Sequence, residues 1–183
     1  MPAYRARPGE IIITPLSYQS IGVPLKSWAQ IGLTTSLAYP AADVGLFVPF
    51  TIPEPTTFTK LFWLNGSAAG DSWDIGLFLE DGTLIVAAGT QTGTGNSTVQ
   101  VIDIADTTLA RGRYYLGVTH SSTTANRAAG LFPAANICHG IGMFQDSSCA
   151  APFSTNANPA TFAAYAQAFI PAIGAQGYRA VGP

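Results

Sequence analysis

Two cysteines and two histidines, Cys138, Cys149, His120 and His139, are the residues here that could ligate zinc or pair as a disulfide. Zinc takes four tetrahedral ligands, usually drawn as closely spaced pairs. Only Cys138 and His139 are close, and they are direct neighbours. That spacing argues against a metal, and no metal or other cofactor is expected. A Cys138–Cys149 disulfide is open in an oxidising medium, while two buried thiols are the simpler reading. For acyl transfer, His120-Ser121-Ser122 sets a serine beside a histidine. Neighbours on a strand point to opposite faces, so the pair does not meet. A Gly-x-Ser-x-Gly elbow is missing. The carboxylates Asp71, Asp74, Asp103 and Asp106 lack the Asp-x-Asp-x-Asp-Gly spacing of a calcium loop. They read as Asx turns, each bonding nearby backbone N–H groups. No carboxylate pair is singled out for glycoside hydrolysis. Nothing selects a reaction, and an enzyme is not expected.

Sugar binding would use exposed aromatic rings. The pool is Trp28, Trp63, Trp73, Tyr114 and Tyr115. Trp63 and Trp73 fall in strand patterns and read as core. Tyr114 and Tyr115 are adjacent on a strand, so one of them must face outward. These two are the candidate glycan contacts. Asn65-Gly66-Ser67 and Asn96-Ser97-Thr98 match glycosylation sequons but read as turns.

The elements that would position these residues are strands. Asp81-Gly82 lies between two apolar runs and signals a hairpin, with a type I′ turn expected. Before it, Trp73, Ile75, Leu77 and Leu79 alternate with Asp74, Gly76, Phe78 and Glu80, which predicts one core face. Further strands are predicted over 44–52, 57–64, 98–104 and 113–119. In the first, Pro49 marks an edge or a bulge. Apolar residues of both parities after Leu61 suggest a strand covered on both faces. No helix interrupts this series, which points to an antiparallel sandwich. Residues 1–43 read as an arm or lead-in segment, with one strand at Glu10-Ile11-Ile12-Ile13-Thr14. In it, Trp28, Ile31, Leu33 and Leu37 need a docking surface. Residues 44–125 read as the sandwich core. Residues 126–183 read as an extension that completes the sandwich or contacts neighbours. It holds a strand within 136–144, one short helix opened by Asn158-Pro159, with Phe162, Tyr165, Ala166 and Phe169 on one face, and a returning strand over 174–179.

Composition narrows the partners. The 183 residues carry 10% charged side chains and 48% hydrophobic ones. Soluble proteins are usually about one-quarter charged. Such depletion fits a surface covered by other subunits. The alternative is a neutral surface rich in Thr, Ser and Gly. A net charge of −2 offers no basic patch to nucleic acid. No apolar run approaches the ~18–20 residues of a membrane span. Arg5 and Arg7 have no apolar stretch behind them, so a secretory signal is not expected.

Pro49-Phe50, Phe62-Trp63-Leu64-Asn65-Gly66, Asp74-Ile75-Gly76-Leu77-Phe78, Asp81-Gly82, Asp106-Thr107-Thr108-Leu109 and Gly112-Arg113-Tyr114-Tyr115-Leu116 follow one another in a familiar order. Over residues 45–120 the chain resembles small β-sandwich structural proteins of tailed bacteriophages, among them tail, fibre and head-decoration components. The same outline occurs in carbohydrate-binding sandwiches. The resemblance implies a virion component assembled in the host bacterial cytoplasm. Its partners would be copies of itself, a trimer among the possibilities, other virion proteins, and a host surface glycan if it reads a receptor. The fold expected is all-β: a jelly-roll-like antiparallel sandwich with an extended N-terminal arm and an irregular C-terminal region.

Overall fold

One long β-hairpin, rolled up on itself, forms the body of the protein. The computed structural model describes residues 10–13, 34–124, 128–131, 142–153, 163–164 and 170–179. Its strands are β1 (Glu10–Ile13), β2 (Thr34–Leu37), β3 (Gly45–Ile52), β4 (Thr56–Leu64), β5 (Ser72–Leu79), β6 (Leu84–Ala87), β7 (Gln91–Thr92), β8 (Val99–Leu109), β9 (Gly112–His120), β10 (Ala128–Leu131), β11 (Phe144–Asp146), β12 (Ala163–Ala164), β13 (Ile170–Pro171) and β14 (Ile173–Arg179). All pairings are antiparallel.

The hairpin can be followed from its open end to its tip. The Asp43 N–H donates to the His120 carbonyl at 2.9 Å. β3 then pairs with β9 from Leu46↔Val118 to Ile52↔Gly112. Pro53-Glu54-Pro55 creases one limb and Ala110-Arg111 the other. Beyond the crease β4 pairs with β8, from Thr56↔Leu109 to Leu64↔Val99. Asn65 N–H to Thr98 O (3.1 Å) and Gly70 N–H to Gly93 O (2.9 Å) carry the ladder on. β5 continues with β7 and then β6, ending at Phe78↔Leu84. Limb 43–79 thus pairs with limb 83–120. The crease sends β4 and β8 to one sheet and β3 and β9 to the other. The tip folds back, so β5 lies along β9 from Trp73↔His120 to Leu79↔Tyr114. A rolled antiparallel hairpin of this kind is the path of a jelly roll.

The C-terminal residues complete the sandwich. β14 lies between β4 and β1 in a sheet ordered β1-β14-β4-β8. The opposing sheet is ordered β12-β11-β3-β9-β5-β6, with β7 also on β5. β2, β10 and β13 form a smaller third sheet. The predicted strand at the start of the arm is β1, and it pairs with the chain's own β14. Trp28, Ile31 and Leu33 lie outside the described residues.

Alternation fills the space between the two main sheets. Leu46, Val48, Ile52, Phe58, Leu61, Trp63, Trp73, Ile75, Leu77, Leu116, Val118 and Ile173 are buried there. A fully buried side chain of this size is worth ~1.5–3 kcal/mol over an exposed one. The ion pairs Lys60–Asp103 and Arg113–Glu80 are solvent-screened and add little. Apolar burial therefore holds the sandwich.

Several expectations are corrected. The β5–β6 turn is not type I′, since Gly82 has φ 86° but Asp81 is not among the positive-φ residues. Gly82 N–H donates to Leu79 O at 3.0 Å and Leu79 N–H to Thr83 O at 2.9 Å. This is a three-residue loop, a type I turn ended by a left-handed glycine. Asp81 Oδ1 accepts from Thr83 N–H at 2.9 Å, which steadies it. The second face of β5 is not a solvent face either. Asp74 and Phe78 are buried because residues 144–153 lie across that side of the sheet. β3 as a whole runs between β9 and β11, but β11 reaches only Phe47, so Pro49 stands where the strand is locally an edge, in keeping with its missing N–H. Of the stretch expected to be helical, Ala163–Ala164 is a strand paired to β11; Asn158, Pro159, Phe162, Tyr165, Ala166 and Phe169 lie outside the described residues. No helix occurs among the described residues.

The charge-poor exterior is not a large apolar patch. Among the described residues, the large apolar side chains standing exposed are Leu79, Val101 and Tyr178. Thr, Ser, Ala and Pro make up much of the rest.

Candidate functional site

The chemistry-bearing side chains gather at two places, and in both they bond the fold to itself. The first is an aromatic stack at the open end of the hairpin. β4 supplies Trp63, β5 Trp73, β9 His120, and the segment before β3 Tyr39. Trp63 stacks on Trp73 with centroids 5.7 Å apart and on His120 at 5.9 Å. The Tyr39 ring lies 5.5 Å from that of His120. All four are at most 1% exposed. His120 Nδ1 is 3.0 Å from the Ser122 carbonyl and 3.2 Å from the Ser122 N–H, so its tautomer decides which one it bonds. The Tyr39 hydroxyl sits 2.8 Å from the carbonyls of both Val44 and Val118 and donates to one of them.

Asn65 anchors this end. Its Oδ1 accepts from Trp63 Nε1 at 2.9 Å, and its Nδ2 donates to the carbonyls of Thr94 and Gly95. The sequon asparagine is therefore a buried brace between limbs, 2% exposed. Trp73 Nε1 differs. It is a buried donor with no acceptor among the described residues.

The second place is the outer face of the larger sheet. Phe47, Phe78 and Tyr115 lie on it, with Cys149 and Phe153 packed over them. Phe47 and Phe78 meet edge to face at 5.1 Å, as do Phe78 and Phe153. A Cβ on Gly117 would come within 2.6 Å of the Phe78 ring and 2.8 Å of the Phe47 ring, so a glycine floor seats both. Asp74 lies beside them with no exposed surface. Its Oδ1 accepts from Ile75 N–H and its Oδ2 from Phe153 N–H, both at 2.7 Å. Burial raises its carboxyl above the usual range, against the lowering effect of these amides and those of Gly89 and Ala88. Thr119 donates its hydroxyl to the Cys149 carbonyl, and the Cys149 N–H donates to Asp43 O at 3.0 Å. Cys149 is a free thiol. Burial, with the nearby Asp146 carboxylate, pushes it up to about 12.

Asp74 sets a pH dependence. A carboxyl raised in the folded chain stays protonated to higher pH than in the unfolded chain. Its contribution to stability is then fully present below its ordinary value of 3.8 and is lost as pH rises through the folded value. The stability of the wild type minus that of Asp74→Asn, from urea titrations, should fall as pH rises from about 3.8 and then level off. A difference that grows with pH would overturn this.

The sequence-predicted residues are placed as follows. Tyr114 faces the interior and is 7% exposed; its hydroxyl donates to Ala110 O at 3.0 Å. Tyr115 points to the opposite face, as alternation requires, yet is 3% exposed. Phe144 packs edge to face on it at 5.8 Å, and Arg113 sits 5.7 Å over its ring. Neither tyrosine offers a ring face to a sugar; a second layer covers the outward one. Cys138 and His139 lie outside the described residues. Among the described residues no three His, Cys, Asp or Glu side chains are grouped to hold a metal. Asp103 pairs with Lys60 instead of closing an Asx turn. No family model, no curated protein and no solved structure matches this chain.

Proposed function

We propose that this chain is a structural component of a tailed-bacteriophage virion, a homo-oligomeric sandwich module of the tail or fibre apparatus or of the head decoration. One observation carries the reading. Asp74-Ile75-Gly76-Leu77-Phe78 and Tyr114-Tyr115-Leu116, which bear the resemblance, are all buried positions of the rolled hairpin. They specify a scaffold. The polar groups gathered around them, Asp74 and Thr119 among them, are engaged in holding segments together. The sparse charge of the exterior suits contact among copies, since interface cores are depleted in charge. The glycan-binding alternative loses its named contacts, since Tyr114 and Tyr115 are covered.

Two measurements test the proposal. Light scattering across a concentration series should give one closed multimer, and a monomer at every concentration would overturn the homo-oligomer. Peptide mass spectrometry of purified particles should find the chain at a fixed ratio to the major virion proteins. Its absence from particles would overturn the virion role.

A further inference from the structure

We propose that residues 144–153 form a releasable strap, latched by the Asp74 carboxylate, which opens as a unit while the rolled hairpin stays folded. The two apolar clusters are separate bodies. Phe47, Phe78, Tyr115, Cys149 and Phe153 form a cluster on the outer face. Among the described residues, none of 144–153 belongs to the interior cluster, which includes Met143 just before the segment. Lifting the strap therefore leaves the interior packing in place. Among the described residues, β11 pairs with β3 over Phe144↔Phe47, Gln145↔Leu46 and Asp146↔Gly45, and on its other side with β12 over Phe144↔Ala164 and Gln145↔Ala163, so β12 moves with it. Beyond those ladders, Cys149 is held by Asp43 O and the Thr119 hydroxyl, and Phe153 by Asp74 and by ring contacts to Phe47 and Phe78. Within the strap, Ser148 N–H donates to Asp146 Oδ1 at 3.0 Å, so that amide is protected only while the strap keeps its fold. The hairpin limbs, by contrast, are zipped over their whole length. Segments with few buried contacts open below the global unfolding limit.

The latch is a carboxylate buried on an apolar face, and it holds Phe153 across a separation of 79 residues. Both its oxygens accept backbone N–H groups, Oδ1 from Ile75 and Oδ2 from Phe153, whereas an amide has one oxygen to offer and must give up one of the two bonds. Opening also uncovers Phe47, Phe78 and Tyr115 and delivers the Cys149 thiol to water, where it regains ordinary reactivity.

Native-state hydrogen exchange on the intact chain tests this directly. The amides of Ser148, Cys149 and Phe153 should share one opening equilibrium. That opening should be at least about a hundredfold more frequent than for Leu64 and Asn65, whose amides bond Ala172 and Thr98 in the hairpin body. Iodoacetamide should label Cys149 at urea concentrations well below the unfolding midpoint. Asp74→Asn should raise that labelling at least about tenfold at fixed pH, with Leu64 and Asn65 protection unchanged. The unit strap is overturned if Ser148, Cys149 and Phe153 exchange only with global unfolding or at unrelated rates. The latch is overturned if Asp74→Asn leaves labelling unchanged. If Asp74→Asn fails to fold, wild-type exchange still decides whether the strap opens alone.

Discussion

Alanine at Gly177 should lower stability by at least ~3 kcal/mol, a drop of ~6–12 °C in Tm for a chain of this size. A Cβ there would stand 2.2 Å from the Thr57 carbonyl oxygen and 2.9 Å from the Phe58 Cα. Both are backbone atoms, so no rotamer change relieves the clash. The site lies where the β14–β4 register shifts after Gln176. The ladder must separate at this point, and β14 is the strand that joins β1 to the rest of its sheet. In an unconstrained strand the same change would add ~0.4–1 kcal/mol through the unfolded state. Thermal and urea unfolding measure the difference, and a loss under ~1 kcal/mol would show that the close approach is not rigid.

The two stacked tryptophans should respond unequally to phenylalanine. Trp63→Phe removes the indole N–H that satisfies Asn65 Oδ1 and leaves that oxygen dry. A buried unsatisfied acceptor costs ~1–3 kcal/mol, and lost packing adds to it, for a total of ~2–4 kcal/mol. Trp73→Phe loses similar packing but removes a donor that had no acceptor. The relief of that orphan offsets the lost area, and the net change should stay within ~1 kcal/mol. Urea midpoints at unchanged m-value report both. Equal losses would mean that the Trp63–Asn65 bond contributes nothing of its own.

Legibility in the sequence followed the range of the forces involved. Period-two alternation and Asp81-Gly82 are local, and they located β3, β4, β5 and β9 to within a few residues, while β8 was expected to end at residue 104 and runs on to Leu109. The strands at 174–179 and at the start of the arm were also expected, the latter from the apolar run Ile11-Ile12-Ile13 closed by Pro15. The second layer was not. Asp74 reads as a solvent-side or turn carboxylate because nothing near it in sequence covers it. Its cover arrives with Phe153, far along the chain. Alternation required one of Tyr114 and Tyr115 to leave the interior, and it is Tyr115, but alternation says neither which of the two leaves nor whether the face it joins is wet. The brace role of Asn65 was hidden behind a sequon and a turn signal. Its only clue was the tryptophan two residues earlier, whose indole needs an acceptor when buried.

The doubled hairpin also fixes the order in which the chain can find its shape. Closing the loop at residues 80–82 is entropically cheap, whereas joining Asp43 to His120 without the intervening pairs is not. Each pair formed shortens the next loop, so structure grows outward from the tip. The crease at 53–55 and 110–111 must then bend a ribbon that is already zipped below it. A one-residue deletion within either limb would therefore misalign all later pairs and exchange inner for outer faces along the rest of the strand.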